Sequence, residues 1–212
     1  MKSVSLFIFT VSAVFSLAAE AEKATYRVTI QSNWNEAEHL ALPSSAHFSP
    51  IVAVTHNTEY TLLPIGAKAT QGIEDVAEMG RTSVLESEIN QSEAVGSLVI
   101  TENQFVMSSP IQTFEVEVSA DHPYLSLVSM IAPSPDWMVG VNALKMYGPE
   151  SGFVEAVSAR GLYALDGGTE SGDFGGNFSI SNPAEESRQL ISVLSGEGFN
   201  SPFAKLSIER IH

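Results

Sequence analysis

Cysteine is absent from these 212 residues, which excludes a disulfide framework and any thiolate metal site. An extra staple for the fold would have to be a metal ion or an oligomer contact. Basic residues are scarce: 10 Lys and Arg stand against 25 Asp and Glu, for a net charge of -15. Such a surface repels nucleic acid, heparin-like polyanions and anionic membranes, and attracts cations. Long apolar runs are missing too, with one exception at the start. Met1-Lys2-Ser3 is a short basic segment, Val4 to Ala18 is mostly apolar, and Ala19-Glu20-Ala21 offers a small-x-small cleavage site. This predicts a signal peptide over residues 1–21, an uncleaved anchor being the alternative, and therefore export to the medium, the periplasm or the cell surface. Cleavage after Ala21 removes one base and one acid, so the net charge stands.

Several catalytic signatures are also missing. There is no G-x-S-x-G elbow, no ordered EF-hand ladder and no lysine-bearing phosphate loop. His39, His47, His56 and His122 show no i, i+4 pairing, and are read as loop histidines bonded to backbone rather than zinc ligands.

What is present is mostly β pattern. The ~190 residues after the leader suit one domain with a sizeable core. Val28 and Ile30 alternate with Arg27, Thr29 and Gln31, the mark of a half-buried strand. Further strands are expected at 51–55, 60–63, 95–101, 104–107, 112–118, 124–131, 138–142, 160–165, 176–181, 188–194 and 203–211, with turn signals every 8–14 residues or so. The helical stretch is 72–90, where Ile73, Val76 and Ala77 oppose Glu74, Asp75 and Glu78, and Thr82 is placed to cap a second helical turn. The expected fold is an all-β antiparallel sandwich with one or two short helices around 73–90.

Two acidic loops then draw the chemistry. Pro133-Ser134-Pro135-Asp136-Trp137 is a stiff extended segment, because each proline fixes its own φ and biases the residue before it away from helix. Asp166-Gly167-Gly168-Thr169-Glu170-Ser171-Gly172-Asp173 is the second, with glycines that let it wrap tightly. Calcium takes six to eight oxygen ligands from such loops. Asp136, Asp166 and one or more of Glu117, Glu170 and Asp173 could supply them, although solvated loop carboxylates would look the same. Glu115 and Glu117 share the outer face of their strand by period-two alternation. If 112–118 and 124–131 form a plain hairpin, Glu117 lies far from Asp136. Trp34, Trp137 and the phenylalanines are assigned to the core, with Trp137 anchoring its loop, in preference to a carbohydrate-stacking platform.

Taken in order, Ala24-Thr25-Tyr26-Arg27-Val28-Thr29-Ile30, Trp34, Ala46-His47-Phe48-Ser49-Pro50, His56-Asn57, Gly72-Ile73, Val76-Ala77-Glu78-Met79-Gly80, His122-Pro123, Pro133–Trp137 with Gly140-Val141, and Asp166–Gly172 resemble the spondin N-terminal domain. The resemblance implies a sandwich similar to C2 domains with one calcium ion at the end of its sheets. It further implies Glu117, Asp136 and Asp166 as ligands. The family's D-A-G-T-D reads Asp166-Gly167-Gly168-Thr169-Glu170 here, which leaves the role of the fifth position open. The resulting expectation is a secreted, non-enzymatic, calcium-binding domain that recognises a protein or glycan ligand. The alternatives are a secreted metal-dependent hydrolase using Asp136, Asp166 and a histidine, or an envelope protein whose calcium only stabilises the fold.

Overall fold

The alternation that begins at Lys23 makes strand β1 (Lys23–Ser32), which buries Ala24, Tyr26, Val28 and Ile30 and exposes the residues between them. The computed structural model describes residues 21–39, 41–106, 110–172 and 189–212. The 1–20 part of the expected leader, the expected strand at 176–181 and Asp173 lie outside them. Strand β1 is flanked by β6 (Ile111–Ser119) and β14 (Ala204–Arg210), and β11 (Ala156–Leu162) pairs with β14 at the edge. All of these pairings are antiparallel, in the order β11-β14-β1-β6. The first and last strands meet at one end, where Thr25 N donates to His212 O at 3.0 Å and Ile211 N to Thr25 O at 2.9 Å.

The second sheet is built on β7 (Tyr124–Ala132), the apolar run of the sequence. Strand β7 lies between β3 (Val52–His56) and β8 (Trp137–Lys145). Beyond β3 lies β4 (Val95–Ile100), and beyond β8 lie β12 (Ala164–Asp166) and β13 (Ser192–Val193). Short strands β2 (His47–Phe48) and β5 (Phe105–Val106) extend the end of β7, and β9 (Tyr147–Gly148) pairs with β10 (Gly152–Phe153) in a separate small hairpin.

Strand β7 is buried from Leu125 to Ala132, Ser126 and Ser129 included, because both of its faces are covered. One face meets the four-stranded sheet in a core that includes Tyr26, Val28, Phe48, Leu127, Phe203 and Leu206. The other meets helices α2 (Gln71–Met79) and α3 (Ser83–Asn90), whose Ile73, Val76, Leu85 and Ile89 pack on Val52, Val54, Val128, Met138 and Leu165. The molecule is thus the expected antiparallel sandwich with a helical layer on one outer face. A single turn, α1 (Glu36–His39), follows β1.

Two local expectations change and one open question closes. Thr82 precedes α3 but has helical backbone angles and makes no capping bond, whereas Thr70 caps α2 by accepting from Ile73 N. Residues 60–63 form no strand: Leu62 and Leu63 are buried as loop anchors beneath the helices. Finally, β6 and β7 are no hairpin, since β6 pairs with β1 and β7 with β3 and β8.

Candidate metal centre

Strands β8 and β12 run antiparallel with Asp166 opposite Trp137, and the pairing continues as Gly167 N donates to Asp136 O at 3.0 Å. The residue just before β8 and the last residue of β12 therefore sit side by side. Two carboxylates thirty residues apart in sequence come to one end of one sheet. Below them Trp137 is buried, its ring edge-on to Phe199 at 5.0 Å, and its backbone N–H is held by Ser134 Oγ at 3.0 Å. The expected anchor role of Trp137 is the observed one.

The second loop closes over Asp136 in the way its glycines allow. Gly168 has φ +71°, a left-handed conformation that glycine adopts without a Cβ clash. Its N–H donates back to Asp166 Oδ1 at 2.7 Å. The turn then aims two successive backbone donors at one oxygen: Thr169 N and Glu170 N reach Asp136 Oδ2 at 2.8 and 3.0 Å, with Thr169 Oγ1 at 3.4 Å. A Cβ on Gly172 would fall on the Pro135 ring, so the two loops are pressed together.

Asp136 is 0% exposed, and its Oδ1 accepts no hydrogen bond from the described residues. Burial pushes its carboxyl above the usual range, and the N–H donors from Gly168, Thr169 and Glu170, with the Thr169 hydroxyl, oppose that shift without cancelling it. A second acid arrives from the helical layer. Glu78, in the last turn of α2, reaches the Thr169 hydroxyl, and burial pushes its carboxyl up too, aided by the charges of Glu170, Glu74 and Asp136. The loop packs on the same helix, since a Cβ on Gly167 would lie 3.2 Å from Ala77 Cβ. Sequence reasoning placed Glu78 on the solvent side of α2, because no local signal says that the Asp166–Gly172 loop would cover that turn.

The expected ligands thus divide. The backbone brings Asp136, Asp166 and Glu170 to one end of the second sheet without gathering their carboxylates, and Asp173 lies outside the described residues. Glu117 does not join them. Its side chain is 51% exposed and pairs with Lys23 Nζ at 3.1 Å. Its carbonyl accepts from Thr55, which pairs with Leu125 at the start of β7, whereas Asp136 lies beyond the Met130–Met138 pair at the other end. At ~3.3 Å per residue that separates them by roughly 20 Å along the strand. The expected face of Glu117 is correct, but its end of the sandwich is not that of Asp136.

The histidines are engaged otherwise. His39, His47 and His56 contact backbone carbonyls of Asn35, Ser45 and Asn57, and His122 contacts the Ser119 hydroxyl.

A calcium ion, implied by the resemblance, can be tested against this donor set. The donors are carboxylates from α2, the loop before β8 and the loop after β12. All are oxygen, which suits a hard cation rather than zinc. The buried, unsatisfied Asp136 Oδ1 is a group that burial penalises unless a proton or a cation meets it. These residues fit the ion. Among the described residues no three such side chains are gathered at coordinating distance, so Glu78, Asp166 or Glu170 would have to turn inward to bind.

The Spondin_N family model matches residues 24–211, nearly the whole described chain. The chain belongs to the spondin N-terminal domain family. It is 34% identical to spondin-1 of Homo sapiens over 157 residues, which cover 70% of this chain and 19% of that protein. Spondin-1 of Rattus norvegicus matches to the same degree. Human spondin-2 is 30% identical over 175 residues, covering 79% of this chain and 51% of that protein. The chain therefore spans about a fifth of spondin-1 and half of spondin-2.

Proposed function

We propose that this spondin-family chain is an exported, non-enzymatic recognition or adhesion domain that holds one calcium ion between Asp136, Asp166 and Glu170, with Glu78 closing the site from α2. The observation that carries the reading is the buried Asp136 carboxylate, one of whose oxygens accepts no hydrogen bond from the described residues. A cation there would offset the repulsion among four acids and lock the Asp166–Gly172 loop to the helical layer. The loop ends of the sandwich would then present a rigid face to a protein or glycan partner. Export follows from the leader-like start of the sequence.

The hydrolase alternative finds less support. Metal-assisted hydrolysis needs an open coordination position beside a general base, and Asp136 is fully enclosed by the Thr169–Glu170 turn.

Thermal unfolding in calcium against chelator tests the reading. A ligand that binds only the folded form at a hundredfold its Kd adds about 2.7 kcal/mol. For ~190 residues that is a Tm rise of about 5–10 °C. Asp136→Asn and Asp166→Asn should lose the rise, while Glu117→Gln should keep it. Superimposable curves with and without calcium would refute the ion, and titration calorimetry on the folded protein separates weak binding from none.

A further inference from the structure

The open side of the sandwich, where edge strand β11 faces β8, carries a feature that the metal centre does not use. Along β11 the register shifts between Val157, opposite Ile208, and Arg160, opposite Leu206. Three steps on β11 thus match two on β14, which is one extra residue, a β-bulge. Ala159 inside it has φ +48°, and its N–H is held by Ser207 Oγ at 3.2 Å. The bulge reverses parity. Without it the alternation from inward-facing Val157 would send Arg160 outward; with it, Arg160 takes the inward-facing position opposite buried Leu206.

Arg160, itself exposed because β11 is an edge strand, lines an open groove of ≈ 270 Å³ together with Ile65, Val141, Asn142, Tyr163 and Val193. Ile65, Tyr163 and Val193 are 50%, 46% and 56% exposed, an unusual grouping of large apolar side chains. Among the described residues the Arg160 guanidinium makes no ion pair or hydrogen bond, although the chain carries 25 acids. A strained bulge thus sets an unpaired, exposed guanidinium beside an apolar groove on an acidic protein.

We propose that this groove docks an extended segment of a protein partner that sets an acidic side chain on Arg160 and a neighbouring large aliphatic side chain on Ile65, Tyr163 and Val193. A guanidinium binds a carboxylate through two parallel, charge-assisted hydrogen bonds, and the cavity has room for about one large side chain beside it. The surrounding negative charge would reject acidic segments that miss Arg160.

The competing explanation is an inward-pointing charge that merely guards an edge strand against self-association. Amide chemical shifts of the calcium-treated full chain, titrated with blocked dipeptides at millimolar concentration, decide between them. Acetyl-Glu-Leu-amide should give saturable shifts at Gly161, Tyr163 and Val193. Acetyl-Gln-Leu-amide should bind at least tenfold more weakly, and Arg160→Gln should remove that preference. Val193→Ser should weaken both dipeptides while leaving the Tm unchanged. The proposal falls if Arg160→Gln only increases self-association, if the two dipeptides bind alike, or if acetyl-Gln-Leu with a free carboxyl terminus binds best, since the site would then read a chain end.

Discussion

Single side chains here hold segments that the strand patterns alone leave loose. His56 is buried, with Nδ1 2.7 Å from Asn57 O and Nε2 2.8 Å from Ser126 Oγ. Since a carbonyl only accepts, the neutral ring carries its proton on Nδ1 and takes the Ser126 hydroxyl hydrogen on Nε2. Ser126 Oγ in turn accepts from Ala143 N at 2.8 Å, a residue at φ +50° beside the β7–β8 register shift. Ser126→Ala strands that N–H, and urea unfolding should show a loss of about 1–3 kcal/mol. Burial, joined by the nearby His122, holds the His56 pKa below its ordinary 6.5 against the Asn57 bond. The folded state therefore favours neutral His56, so its contribution is intact above pH 6.5 and is lost as pH falls from there toward the lowered value. His56→Gln should flatten the acid side of the stability profile below pH 6.5; an unchanged slope would locate the acid sensitivity elsewhere. Asp136 and Asp166 could be picked out of the sequence because their loops announce themselves with proline and glycine. Glu117 could not be placed, because alternation reports the face of a strand and says nothing about which end of which sheet it reaches.

At the scale of elements, the two main helices are fixed to each other as well as to the sheet. Glu88 of α3 accepts from Thr70 Oγ1 at 2.6 Å and Gly72 N at 2.9 Å, so it completes the start of α2. A Cβ on Gly72 would lie 2.5 Å from Leu85 Cα, backbone against backbone. Gly72→Ala should therefore force the helices apart and cost about 1–3 kcal/mol, read as a lower denaturation midpoint at unchanged m-value. Thr70→Ala should cost about 1 kcal/mol through the lost cap. The period of this stretch was readable as helix, but the partial covering of Glu78 was not, since that depends on a loop arriving about ninety residues later. Arg160 escaped sequence reading for a related reason. Its direction is set by one unpaired residue in the β11 ladder, and nothing in Ala156–Leu162 marks where the parity changes.

Across the whole molecule, the charge of -15 is spread over a domain with few basic residues to balance it. Without calcium, sodium chloride should raise the Tm by screening self-repulsion, whose range is about 8 Å at physiological ionic strength. Magnesium should give a smaller rise than calcium at equal concentration, because it demands near-octahedral geometry and keeps its waters; equal rises would point to general screening. The sandwich class was readable from turn spacing and strand pattern, whereas its three-layer depth was not, because an apolar run like β7 reads the same whatever covers it. The meeting of β1 and β14 at Thr25 and His212 has a mechanical consequence. Tension applied through those two points would load the hydrogen bonds of an antiparallel pair one after another, in the manner of a zip, and not all together in shear. Held in an optical trap, the domain should open at low force from the Thr25–His212 end, its central strand leaving first, so that stability to heat and resistance to pulling are separate properties of this fold.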